Sequence, residues 1–122
     1  MQEQIKVPKV YLDMINQIFE LEKKASALTE SNSLQRNINR LKELFENDLG
    51  GGYNNNNEAI GFIYHNPIGE PYNETRTDCD ASIAGTRTDN LVITEVIKPI
   101  IRCKKGGVNV LVQKAVVVAE SK

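Results

Sequence analysis

The sequence predicts an α+β fold: an N-terminal helical hairpin, of a kind that pairs into a dimeric four-helix bundle, followed by a small all-β domain. Three observations predict it. Apolar residues recur at heptad spacing as far as Phe45. A glycine- and asparagine-rich stretch, GGGYNNNNE, then interrupts the pattern. From Ala59 onward the apolar period drops to two, with Ile60, Phe62 and Tyr64 alternating with Gly61, Ile63 and His65. These changes divide the chain into a helical dimerisation region at 1–49, a linker at 50–57 and a β domain at 58–122.

The first helix is expected over residues 7–28. Val7, Tyr11, Met14, Ile18, Leu21, Ala25 and Leu28 follow one another at alternating spacings of 4 and 3, the a/d seam of a heptad repeat. Ile15 and Phe19 widen this apolar face beyond a two-stranded seam, which suits a bundle. Pro8 falls in the first turn, where its missing N–H is not needed. Thr29-Glu30-Ser31-Asn32-Ser33 offers short polar side chains suited to capping a following helix. The second helix is expected from Ser33 to Asp48, with Leu34, Ile38, Leu41 and Phe45 on its seam, and three glycines at 50–52 end it. One hairpin has little facing surface, so two copies closing a four-helix bundle are expected. The alternative is that the helices pack on their own β domain.

In the β domain, residues 66–90 are rich in turn formers. LVITEVIKPIIRC reads as a long strand in which Pro99 demands a bulge, an edge or a bend, because it has no N–H for a ladder. Lys104-Lys105-Gly106-Gly107 reads as a hairpin turn, and VNVLVQKAVVVA as the returning strand.

Composition narrows the functions. With 15 basic and 16 acidic side chains, neither half of the chain is a basic platform, and nucleic acid is not an expected partner. No apolar run approaches the roughly 20 residues of a membrane span. With no apolar signal core at the N-terminus either, a cytoplasmic location is expected. Cys79 and Cys103 stand apart and read as reduced thiols. His65 is the only histidine, so a multi-histidine metal site is not available, and it reads as a strand-end surface residue. Asp78 and Asp80 flank Cys79; surface loop acids are a commoner reading of that pattern than metal ligands. No nucleophile–base pair or phosphate-binding glycine loop occurs, so neither an enzyme nor a cofactor is expected.

The densest turn segment, Asn66-Pro67-Ile68-Gly69-Glu70-Pro71-Tyr72-Asn73, follows Gly61-Phe62-Ile63-Tyr64. Its two prolines fix φ and restrict the residues before them, which makes a rigid corner. This run, the closing pair formed by residues 92–97 and Ala115-Val116-Val117-Val118-Ala119, and the order of helices, linker and β domain resemble GrpE, the family of nucleotide exchange factors for DnaK-type chaperones. The chain departs from the family pattern at Thr77-Asp78-Cys79-Asp80-Ala81, at Pro99-Ile100 and at Gln113-Lys114.

The resemblance implies a homodimeric co-chaperone of the stress response. It would bind the open, nucleotide-free form of a chaperone ATPase domain and so weaken ADP binding by linkage. It implies a partner surface on the closing hairpin, at Arg102, Lys104, Lys105, Asn109 and Gln113. A dimeric adaptor of the same fold without exchange activity is the alternative. A small hydrolase would require a polar pocket around His65, Asp78 and Asp80.

Overall fold

The computed structural model describes residues 9–28, 34–48, 60–105 and 108–122. Among these residues, two helices are followed by six strands in two three-stranded sheets. Helix α1 spans Lys9–Ser26 and α2 spans Leu34–Glu43, the latter running into a π-helical turn at Leu44–Asp48. The strands are β1 (Ile60–His65), β2 (Cys79–Ala84), β3 (Leu91–Lys98), β4 (Ile100–Lys105), β5 (Val108–Gln113) and β6 (Ala115–Ser121).

The first sheet has the order β1-β4-β5 and is antiparallel throughout. The second has the order β2-β6-β3, with β2 parallel and β3 antiparallel to β6. β3 runs into β4 through Pro99, and β5 runs into β6 through Lys114. The two long runs expected from sequence therefore form one long hairpin that bends in the middle. Its outer half completes the first sheet, and its inner half completes the second. Pro99 is fully buried at the bend. It breaks the β3–β4 run between the two sheets, where its missing N–H is not required. Gln113 Nε2 donates to the Pro99 carbonyl at 2.9 Å and ties the two arms of the bend together.

The helices pack on the sheets. Ile15 joins Phe62, Ile101 and Cys103 of the first sheet. One turn further on, Phe19 joins Cys79, Ile93, Val96, Ile100, Ala115 and Val117. Ile18, Ala25 and Ile38 close the contact between the helices. The Asn16 and Gln113 side-chain amides donate to each other at 3.0 and 2.9 Å, which fixes α1 along the bend.

The heptad seam is consequently split. Tyr11, Ile18, Ala25, Ile38 and Phe45 pack inward, whereas Met14, Leu21, Leu28, Leu34 and Leu41 are exposed; Val7 lies outside the described residues. At about 100° per residue, Met14 and Leu21 lie roughly 60–80° round the helix from Tyr11, and Leu28 follows just beyond the helix end. The residues nearest the centre of the buried face are Ile15, Ile18 and Phe19. The linker expected at 50–57 also lies outside the described residues.

Beyond the helix, one turn makes a close backbone contact. A Cβ built on Gly61 would lie 1.7 Å from the carbonyl oxygen of Glu46, so only glycine allows the π-helical turn to approach β1 this closely. Phe45 of that turn packs with Ile15 and Phe62. Glu46 reaches Lys104, the cross-strand partner of Gly61, at 3.2 Å.

Candidate partner-binding face

The proline-rich corner is pinned by main-chain bonds. Gly69 N–H donates to the Ile93 carbonyl at 2.8 Å, Ile93 N–H to the Glu70 carbonyl at 2.9 Å, and Tyr72 N–H to the Leu91 carbonyl at 2.9 Å. Pro71 thereby sits opposite Val92 in an isolated antiparallel bridge. Gly69 has φ +81°, a left-handed conformation that side chains rarely adopt. Pro67 is fully buried, and Tyr72 packs on the second sheet's core. Thus the corner acts as a short extra strand along β3 and covers one end of the second sheet.

A chain of charges locks this corner to the rest of the β unit. His65, at the end of β1, bonds to Glu70. Arg76 donates to Glu70 at 2.8 Å and to Asp78 at 2.6 Å, and its remaining amine donates to the Pro71 carbonyl at 3.1 Å. Arg102, on β4, reaches the other Asp78 oxygen at 3.2 Å. Burial works against the charge on Glu70, but bonds from Arg76 and His65 outweigh it and hold the carboxyl below its ordinary range. The same balance, with Arg76 as the chief donor, holds Asp78 low. Burial pushes the neighbouring Cys79 thiol up to about 11, against the nearby Arg76 charge. The thiolate needed for nucleophilic chemistry is disfavoured there. Asp80 is exposed and lies 3.9 Å from Lys114, so Asp78 and Asp80 have separate partners. Among the described residues no group of three His, Cys, Asp or Glu side chains is placed to hold a metal ion.

A second polar cluster lies between the helices and β1. Tyr64 donates to Glu22 at 2.7 Å, and Gln35 and Lys42 reach the other Glu22 oxygen at 3.1 and 3.4 Å. Burial, and the Glu22 carboxylate beside it, hold the proton on Tyr64. The bonds from Tyr64, Gln35 and Lys42 outweigh the burial of Glu22 and keep it ionised. This cluster joins α1, α2 and β1.

The five residues placed on the closing hairpin by sequence are not equivalent. Cross-strand register puts Arg102 beside Leu111 and Lys104 beside Asn109. These four residues share the outer face of the first sheet, which the π-helical turn meets at Gly61, with Ile63 next to Arg102 on β1. Asn109 and Leu111 are exposed. Arg102 and Lys104 are bound to Asp78 and Glu46, so their charges are partly compensated within the chain. Gln113 is committed to Asn16 and Pro99; a register shift between Ile101 and Arg102 separates it from the other four. The Lys105 side chain lies outside the described residues.

Leu111 was missed as a candidate because it stands in a valine-rich run; only pairing with Arg102 shows which face it takes. The Glu70–Arg76–Asp78–Arg102 chain was also missed. Glu70, Arg76 and Asp78 stand in one turn-rich stretch whose folding the sequence does not specify, and Arg102 is distant in sequence. Comparison with protein-family models, with curated proteins and with solved structures gives no match.

Proposed function

We propose that this protein is a non-enzymatic, homodimeric co-chaperone that promotes ADP release from a DnaK-type ATPase domain. The observation that carries the reading is the run from Pro67 to Asn73 at the corner of a six-stranded β unit that follows a helical hairpin, the arrangement that the resemblance to GrpE implies. The outer face of the first sheet, with Lys104, Asn109, Leu111 and the rim of Arg102, supplies the partner surface. The exposed row of Met14 and Leu21 on α1, continued by Leu28 just beyond its end, with Leu34 and Leu41 on α2, supplies a dimer contact. The adjacent helical face, with Ile15, Ile18 and Phe19, is already used within the chain.

Such a factor works by preferring the open, nucleotide-free ATPase domain. By linkage, that preference lowers ADP affinity by the same factor. A differential binding of ~3 kcal/mol weakens ADP about a hundredfold. The test is release of labelled ADP from a DnaK-type chaperone of the same organism. Wild type is expected to accelerate release. Asn109→Ala combined with Leu111→Ser, which leaves the internal ion pairs intact, is expected to slow stimulated release by about tenfold, or ~1.4 kcal/mol of differential binding.

The second reading is a dimeric adaptor without exchange activity. It is favoured by the commitment of Arg102 and Lys104 to internal carboxylates, since cations paired within the chain steer a partner less strongly. Wild type that leaves ADP release unchanged, while remaining a dimer in solution, selects this reading.

A further inference from the structure

The end strands of the two sheets are not guarded alike. In the second sheet the proline corner lies along β3, where Pro71 bridges to Val92. Its other end strand, β2, carries the Asp80 carboxylate, whose side chain is 70% exposed. In the first sheet the π-helical turn lies against β1 at Gly61. Covering segments and edge charges keep sheet edges from pairing with another chain. The remaining end strand is β5, and among the described residues no strand pairs with its outer side. Its sequence, Val108-Asn109-Val110-Leu111-Val112-Gln113, has no charge, no proline and no glycine. Val108 is 59% and Leu111 37% exposed. A neutral, valine-rich edge of this kind is a template for a further strand.

The strand that fits this edge is a second β5. A two-fold axis through Val110 lays two copies antiparallel, with Val110 opposite its own copy, Val108 opposite Val112 and Asn109 opposite Leu111. Val110 stands across the ladder from Cys103, and Val112 packs with the cluster under α1. The valines therefore meet on the covered face, and Asn109 meets Leu111 on the outer face. Gln113, held by Asn16 and Pro99, is not needed for this register. No like charges are set opposite each other. The nearest cations, Arg102 and Lys104, stand one strand back on β4 and are bound to Asp78 and Glu46. Across the axis they face their copies over three strand spacings, about 14 Å, beyond the screening length of about 8 Å at physiological salt.

We propose that β5 is a contact between copies of this chain, through which two first sheets join edge to edge into one continuous sheet. So short a paired segment makes a small, reversible contact that forms at high local concentration. It is separate from the exposed row on the helices, and it stands whether or not the protein acts on a chaperone. A chain with both contacts links its dimers into tetramers or longer assemblies, because each two-fold contact joins a different pair of copies.

The test uses the full chain from micromolar to millimolar concentration, with ¹⁵N-labelled and unlabelled copies mixed. The expected result is saturable, concentration-dependent amide shifts over Val108–Val112, with isotope-filtered contacts between Asn109 of one copy and Leu111 of the other. The shifts should persist when Leu21→Lys with Leu41→Lys removes the helical row. Asn109→Glu with Leu111→Glu sets like charges opposite each other across the axis, while each introduced glutamate lies beside a β4 cation of its own chain. Association is expected to weaken at least about tenfold with the fold kept. Asn109→Glu with Leu111→Lys sets opposite charges across the axis at both places, and association is expected to return. The wild-type dilution and the filtered contacts test the pairing without altering the chain. The proposal is overturned by absence of shifts at millimolar protein, by shifts confined to the helices, or by a double-glutamate variant that associates as tightly as wild type. It is also overturned if the glutamate–lysine variant is folded but does not regain association.

Discussion

The two sheets are held to their surroundings by different forces. The first is covered by a helix: Ile15 packs on Phe62, Ile101 and Cys103, and the π-helical turn rests against Gly61. The second is covered in its middle by Phe19, but its far end is covered by the proline corner. The corner is held by three main-chain bonds to β3 and by carboxylates paired with Arg76 and Arg102. Apolar cover is insensitive to pH and depends on shape. Polar cover depends on ionisation and on every partner being present. One small β unit thus has one end that should fail through cavities and another that should fail through acid.

The largest expected effect is at Phe19, which joins α1 to the second sheet while sitting edge-on to Tyr64 of the first, with ring centroids 6.0 Å apart. Phe19→Ala should destabilise the protein by about 3–5 kcal/mol, as large-to-small core changes do. Thermal unfolding followed by circular dichroism checks this; a loss under ~1 kcal/mol would show that the helix is not essential cover.

Gly61→Ala comes next. The added carbon meets backbone rather than a movable side chain, so the π-helical turn must lift from β1. A loss of about 1–3 kcal/mol is expected, in the range of overpacking. Hydrogen exchange should rise first in residues 44–46 and β1. Protection unchanged there would mean that the turn can shift without cost.

Asp78→Asn probes the charged end. It leaves Arg76 and Arg102 short of a partly buried anion, at a cost on the order of 1–3 kcal/mol at neutral pH. The sign of its pH dependence follows from the depressed pKa values of Asp78 and Glu70. Their contribution is fully present above the unfolded carboxyl values of about 4 and is lost as pH falls through the lower folded values. The wild-type and variant stabilities should therefore converge in acid. Urea titrations at pH 7 and in the acid range measure this, and a gap that stays constant would remove the ionic account of the corner.

The smallest effect on monomer stability is expected for Leu21→Lys with Leu41→Lys. Both positions are exposed, and surface changes usually stay within about 0.5 kcal/mol. On the proposed dimer contact the same pair should cause dissociation, visible by light scattering at micromolar concentration. A wild type that is monomeric there removes the dimer from the reading and leaves the helices as cover for the β unit alone.

Local regularities were legible in the chain. The 3.5–3.6 apolar period marked both helices to within a few residues, because a helix needs only its own sequence to show which side is apolar. The alternation at Ile60–His65 marked β1, and Pro99 marked a break. β2 was not legible: Cys79-Asp80-Ala81-Ser82-Ile83-Ala84 has small, weakly apolar residues among turn formers, and it becomes a strand by pairing with the valine-rich β6. The candidate face was legible only in part. Arg102, Lys104 and Asn109 could be named from the sequence, but not the face they share or the internal ion pairs of Arg102 and Lys104.

What the sequence by itself determined is the set of pieces: two amphipathic helices, a rigid proline corner and strands rich in β-branched residues, each a consequence of local propensity and spacing. What only the tertiary structure decided is which apolar stripe of each helix is buried, where the long hairpin changes sheet, and that Glu70, Arg76, Asp78 and Arg102 form one network. The reason is physical. A periodic stripe broad enough to serve two partners does not name which one it meets. Ion pairs between residues 24 apart, such as Arg102 and Asp78, exist only after the strands that carry them are brought side by side.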